Sequence, residues 1–214
     1  MAKKKKSFKT IIESKLRGDT IPKASYASRK WFRRKALRLS FMRGAKSKRL
    51  ITMARENKRT KPFLRGRLMM GRMFMFEYEA KHAKTLPYYD SFPLIFPIEF
   101  QADGFLGINL HYLPYNWRAI LMDNLYDLRT NENMDESTRL ALAMNGYKML
   151  SKSAKYRYFK PCVKKYLYDQ VNSRYMEIPP EEWEIALFLP LERFVGESKR
   201  KVWNETRKTY RRGR

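Results

Sequence analysis

The sequence predicts an α+β fold: a small, strongly curved antiparallel sheet or barrel with packed helices and basic N- and C-terminal extensions. Three observations carry that reading. Residues 71–114 concentrate aromatic residues, prolines and the only dense β-type pattern. Downstream, the runs 115–128, 136–150 and 162–172 space their apolar residues as helices do. The formal net charge of +26 is polarised, with +22 in residues 1–72, −3 in 73–198 and +7 in 199–214. A near-neutral centre with cationic ends is the distribution of a protein that lays basic arms on a polyanion.

The elements follow in chain order. Residues 1–27 combine a lysine run with Gly18 and Pro22, and most of this arm is expected to order only on a partner, apart from a short turn around residues 11–16. Residues 28–42 set Trp31, Phe32, Leu37, Leu39 and Phe41 among arginines, predicting a helix with Ser28 as N-cap and an end near Gly44. Trp31, Phe32, Leu39 and Phe41 are expected to dock this helix on the core, and residues 45–57 form a weaker second helix.

Met73 and Met75 alternate with Phe74, Phe76 and Tyr78, which suits a strand. The apolar run 92–98 carries Pro93 and Pro97, whose missing N–H groups predict an edge strand or a bent one. Asp103-Gly104 is expected to supply the positive φ of a tight hairpin into a third strand over 105–112. Pro114 precedes the helix 115–128 as a start signal, and an acidic first turn favours the helix 136–150. After the turn at Pro179 and Pro180, the run 183–189 is expected to be a strand completing the sheet. Residues 199–212 begin as a helix anchored by Val202 and Trp203. The chain therefore divides into a basic DNA-binding or assembly arm (1–68), a globular α+β core (69–198) and a basic tail (199–214).

Several chemistries are excluded or disfavoured. Cys162 is the single cysteine and only His82 and His111 offer imidazoles, so neither an intrachain disulfide nor a cysteine zinc site can form, and no metal site is expected. No apolar run has the length of a membrane span and no apolar signal segment follows the N-terminal lysines, predicting a soluble chain without a membrane partner. Glu77, Glu79 and Lys81 have the spacing of a nuclease metal site but lack an Asp from a neighbouring strand. His111 reads as a hydrogen-bonded core or rim histidine, His82 as exposed, and Cys162 as a buried inert thiol. Glu177, Glu181, Glu182 and Glu184 read as a solvated loop or a patch pairing with the chain's own arginines. No phosphate loop, nucleophile elbow or histidine pair occurs, so no catalytic residue and no cofactor is expected.

The candidate nucleic-acid-binding residues are Arg29, Lys30, Arg33, Arg34, Lys35, Arg38, Arg43, Lys46, Lys48, Arg49, Lys58 and Arg59 in the arm, with Lys199, Arg200, Lys201, Arg211 and Arg212 in the tail. Their density suits phosphate contact with double-stranded DNA, while no single helix presents a convincing set of Asn, Gln and Arg for reading base edges.

The runs 73–76 (MFMF), 86–93 (LPYYDSFP) and 104–114 (GFLGINLHYLP), extended by 158–162 (YFKPC) and 183–190 (WEIALFLP), resemble head-completion-type virion proteins, DNA end protectors, of T-even-like tailed bacteriophages. The resemblance spans about residues 70–205; the arms match in character only. It implies a non-enzymatic virion component that is assembled in the host cytoplasm and holds the packaged DNA end at the head–tail gateway. Its partners would be double-stranded DNA and other virion proteins of the head–tail region. It supplies no catalytic residues. The alternatives are a neck or tail assembly protein whose arms meet acidic surfaces of neighbouring subunits, and a ribosome- or chromosome-associated basic protein.

Overall fold

A computed structural model describes residues 7–15, 26–40, 68–130, 137–138 and 161–212, with the side chains of 15, 36–40, 124–130 and 209–212 excepted. Its elements in chain order are α1 (Phe8–Lys15), α2 (Tyr26–Ser40), β1 (Met73–Met75), β2 (Tyr89–Asp90), β3 (Leu94–Phe100), β4 (Gly104–Asn109), α3 (Tyr115–Thr130), β5 (Val163–Leu167), β6 (Met176–Ile178), α4 (Trp183–Phe188), β7 (Phe194–Val195) and α5 (Lys199–Arg212). The fold is α+β, as the sequence predicts. Its main sheet is antiparallel and open, in the order β5-β4-β3-β1-β6, and a second ribbon pairs β2 with β7.

Strand alternation divides two cores. Met73, Met75, Leu94, Phe96, Ile98 and Ile108 point to the larger one, which the helices cover. Phe74, Phe76, Ile95, Phe105 and Tyr166 point the other way, into an aromatic cluster closed by Tyr78 and Val171. Phe76 meets Phe105, Tyr166 and Tyr175 edge-on at 5.2–6.0 Å, a favourable arrangement for ring quadrupoles.

β3 lies in the middle of the sheet, so of the two expected alternatives, an edge strand or a bent one, it is the bend that holds. The register breaks between Pro97 and Glu99. Pro97 is tolerated because β1 has already ended beside it: Phe74 pairs with Ile95, so the partner of Pro97 would fall at Arg72, before the strand begins. The turn at Asp103-Gly104 also works differently from expectation, since among the described residues the glycines at positive φ are Gly71 and Gly196. Gly104 is needed for space: a Cβ there would stand 2.1 Å from the Tyr166 carbonyl oxygen on β5.

Other expectations fail for identifiable reasons. The run 162–172, read as a helix, forms β5 and a 3-10 turn, because Val163 and Tyr166 find a pleated partner in β4. The run 183–189, read as a strand, is the helix α4. Trp183, Ala186, Leu187 and Phe188 are its buried residues, the first three at the i, i+3, i+4 spacing of a helix, and the Trp183 indole N–H donates to the Ile178 carbonyl at 2.9 Å. The strand that joins β1 instead is β6. The helix 115–128 appears as α3. The helices expected over 45–57 and 136–150 lie outside the described residues, except for helical Ser137 and Thr138.

The N-terminal arm shows the clearest correction. Residues 8–15 are helical and packed on α3, with Phe8 and Ile12 buried in the main core. The Asp123 carboxylate on α3 accepts the Phe8 and Lys9 backbone N–H groups at 2.5 and 3.0 Å, and Ser7 Oγ accepts that of Thr10 at 3.1 Å. A carboxylate at the positive end of the helix dipole caps the first turn from outside the helix. α2 starts at Tyr26, so Ser28 lies in its first turn and is not the N-cap.

Candidate nucleic-acid interface

α2 is a helix with one docked face. Trp31 is buried in the main core and Phe32 packs edge-on against Phe92 at 6.1 Å, as the sequence reading expects of both. Lys35, one helical turn beyond Trp31, is buried as well and pairs with Glu182, while Arg34 stands 4.0 Å from the same carboxylate. The acidic set therefore does pair with the chain's own cations, and Arg72 with Glu177 at 2.9 Å repeats the pattern. Arg29, Lys30, Arg33 and Arg34 occupy the opposite, exposed face of α2.

Beside α2 runs the 189–193 segment, and the two enclose an open cleft of about 340 Å3. Arg29 and Arg33 stand on one wall and Arg193 on the other, with Phe32, Leu189 and Leu191 between them. The Arg193 guanidinium lies over Phe92 at 5.3 Å and Phe32 at 6.0 Å. Its backbone is fixed by Ser91, whose N–H and hydroxyl both donate to the Arg193 carbonyl at 2.9 Å.

The neighbouring Glu192 turns its carboxylate inward to the fully buried Arg118, which also donates to the carbonyls of Leu113 (2.7 Å), Leu187 (3.0 Å) and His111 (3.3 Å). Burial works against ionisation of Glu192, but Arg118, with His111 and Lys199, outweighs it and holds the carboxyl below its ordinary range. The cleft consequently presents guanidinium groups while its nearest acid is neutralised from within.

α5 forms a second basic surface. Val202 and Thr206 are buried, and the Thr206 hydroxyl reaches the Tyr112 carbonyl at 3.1 Å. The Trp203 indole N–H donates to the His111 carbonyl at 2.8 Å, and Tyr88 donates to Glu205 at 2.6 Å. Gly196 turns the chain from β7 into this helix at φ +94°, where a Cβ would lie 2.5 Å from the Pro87 carbonyl oxygen. On the far side, Arg200, Asn204, Arg207 and Lys208 are exposed at helical spacing. Lys201 is exposed but bonded to Glu197, which raises its pKa, and Lys199 is half-buried over Trp203 and 3.8 Å from Glu192.

Of the sequence-predicted cations, Arg29, Lys30, Arg33, Arg34, Arg200 and Lys201 are exposed, whereas Lys35 is buried and already paired. Arg38, Arg211 and Arg212 are on α2 and α5, with side chains outside the described residues; Arg43, Lys46, Lys48, Arg49, Lys58 and Arg59 lie outside them altogether. Arg193, Arg207 and Lys208 were passed over. Helical spacing from Arg200 flags Arg207, but no sequence pattern flags Arg193, which a two-residue strand pairing brings into place.

The other titratable groups are internal. His111 Nδ1 lies 2.8 Å from Asp90, which also accepts from Asn109 at 3.0 Å and from the Phe92 N–H at 3.0 Å, all buried. Burial raises the Asp90 pKa, and the charge and hydrogen bonds of His111, with those of Asn109 and Phe92, more than reverse this to a net lowering. Cys162 is buried and its thiol pushed up to about 12 by desolvation, matching the inert thiol expected. His82, Glu79 and Lys81 are exposed. Among the described residues, no three His, Cys, Asp or Glu gather to hold a metal ion, and no helix is long and apolar enough to cross a membrane.

No curated protein and no solved structure matches the chain. A family model does, over residues 2–210: that of the Phage T4 terminal DNA protecting protein. The match includes both basic helices and the whole sheet between them, so the resemblance read from the motifs holds for nearly the full length, and this chain belongs to the phage T4 terminal DNA protecting protein family.

Proposed function

We propose that the protein is a non-catalytic DNA-binding virion component that holds the packaged DNA end at the head–tail gateway. It would be assembled into the particle in the host cytoplasm, beside other head–tail proteins. The observation that carries this is the mounting of basic helices on one rigid core: α2 and α5 each bury an apolar face and expose a row of cations. Such rows meet phosphates without reading bases, which suits a protein that must accept whatever sequence an end carries. The burial of Asp90, His111 and Cys162 away from any substrate supports a role without chemistry.

A second reading has an observation in its favour. Lys35 on Glu182 shows that α2 also accommodates carboxylates, as an assembly arm meeting acidic neighbouring subunits would.

A salt titration of fluorescence anisotropy with two unrelated duplexes tests the proposal. If about six to ten phosphates are neutralised, log K should fall against log salt with a slope of about −5 to −9, nearly the same for both sequences. Replacing Arg200, Arg207 and Lys208 by Gln should flatten the slope by about 2 to 3 units. A native slope near zero would instead favour the assembly reading.

A further inference from the structure

The basic faces of α2 and α5 are convex, but the cleft between α2 and the 189–193 segment is concave, and a concave site selects a different part of DNA. Its volume of about 340 Å3 falls at the small end of the range that takes a single small ligand. The side of a duplex, a continuous backbone, cannot enter a space of that size. A group that projects from the molecule can, and in linear DNA that group is the terminal nucleotide.

The chemistry of the walls agrees. Arg29, Arg33 and Arg193 bring planar guanidinium forks to one opening, the geometry that grips phosphate oxygens in pairs. A terminal phosphate monoester carries about −1.5 to −2 at neutral pH, against a single charge on each internal diester, so a three-arginine site favours the terminus. Phe32, Leu189 and Leu191 give the same cleft an apolar wall on which an unstacked terminal base can lie. The acid at the rim does not oppose this, because the Glu192 side chain is only 1% exposed and is held by Arg118. Arg29 and Arg33 make no ion pair with another described residue, which leaves them available.

We infer that this cleft seats a DNA terminus, with the terminal phosphate on Arg29, Arg33 and Arg193 and the terminal base against Phe32 and Leu191. The inference rests on the DNA-binding function proposed above and deepens it, assigning the recognition of an end to the cleft and general backbone contact to the helix faces.

The test uses the full-length protein and two short duplexes of one sequence, one open with 5′-phosphates and one closed at both ends by hairpin loops. The native protein should bind the open duplex at least about tenfold more tightly. Arg29→Gln with Arg33→Gln should abolish that preference, weakening the open duplex more than the closed one, which loses only two cations of the α2 row. Arg193→Gln should do the same, since Ser91 holds its backbone whatever its side chain. Arg200→Gln with Arg207→Gln should weaken both duplexes alike and keep the preference.

Equal native binding to both duplexes overturns the inference, as does a preference that survives the cleft variants or a loss that falls equally on both duplexes. Capture of an acidic peptide in place of the open duplex, lost in Arg29→Gln with Arg33→Gln, overturns it too and assigns the cleft to a protein partner. Native protein that binds neither duplex contradicts the DNA-binding function itself, a result distinct from all of these.

Discussion

α2 and α5 come from opposite ends of the chain, are both rich in arginine and lysine, and both turn one face to the same core, yet different groups hold them there. α5 is held by Val202, Thr206, Trp203 and Glu205, through apolar contact and hydrogen bonds to the carbonyls of Tyr112 and His111 and to Tyr88. α2 is held by Trp31 and Phe32 and by a cation of its own, Lys35, on Glu182. Charge counted along the two basic ends is thus not the charge offered to a partner. It overstates α2 by one residue that the fold has taken inward, and it misses Arg193, which the fold has brought outward to stand opposite α2.

That comparison can be broken at several points, and the largest effect should come from removing the first mount altogether. Deleting residues 1–40 takes Phe8, Ile12 and Trp31 out of the main core. Each large-to-small loss there costs about 2–5 kcal/mol, so the deletion should abolish the cooperative thermal transition. A truncated protein that still unfolds sharply near the native temperature would show that residues 1–68 are a separable arm, as the charge pattern alone suggests.

The next effect concerns the mount shared by α5 and the cleft. Arg118→Leu would leave Glu192 buried without its closest cation and strip the Leu113 and Leu187 carbonyls of their side-chain donor. Loss of one partner of a buried pair costs about 3–5 kcal/mol, measurable by denaturant titration. A loss under about 1 kcal/mol would mean that the pair is dispensable and that α5 stands without it.

Val202→Ala tests α5 alone and should cost about 2 kcal/mol, since it removes two buried methyl groups and leaves a small cavity. Its slope in the salt titration should stay native if the helix remains docked.

The smallest effect should come from acid. Asp90 and Glu192 both titrate below their ordinary range in the folded protein, so the stability they contribute is complete above about pH 4 to 5 and is lost as pH falls through their folded values. Thermal unfolding followed from pH 6 downward should show this decline. Asp90→Asn should shrink it, and an unchanged pH profile in that variant would remove Asp90 from the account.

How much of this was legible in the sequence depends on how far apart the interacting residues lie. The alternation of Met73 to Phe76, the helix after Pro114 and the anchors Val202 and Trp203 are local patterns, and each appears where periodicity places it. The exchange of strand for helix at 163–167 and 183–188 shows the limit of short apolar runs. Val163 and Tyr166 fit either period until β4 supplies a neighbour, and Trp183, Ala186 and Leu187 carry a helical spacing hidden among adjacent hydrophobic residues. α1 shows in the sequence only as a short turn around residues 11–16, because its cap, Asp123, stands 115 residues away from Phe8. Likewise His111 has no partner in its own stretch, and Asp90 reaches it only once β2 is paired with β7. The exposed arginines were evident from composition; the cleft they line was not, since it needs the 189–193 segment that Arg118 and Ser91 position.

The central claim is that this core presents its cations so as to occupy the end of a DNA molecule. The most direct measurement challenges a linear duplex, with the native protein bound at low salt, by an exonuclease that enters from the ends and separately by an endonuclease that cuts at a central site. The account predicts that exonuclease digestion is blocked at protein concentrations that leave central cutting unaffected, and that raising salt restores digestion along the steep dependence expected of phosphate contacts. Protection of the central site at the same protein concentration as the ends, or an exonuclease that proceeds unhindered, would contradict it.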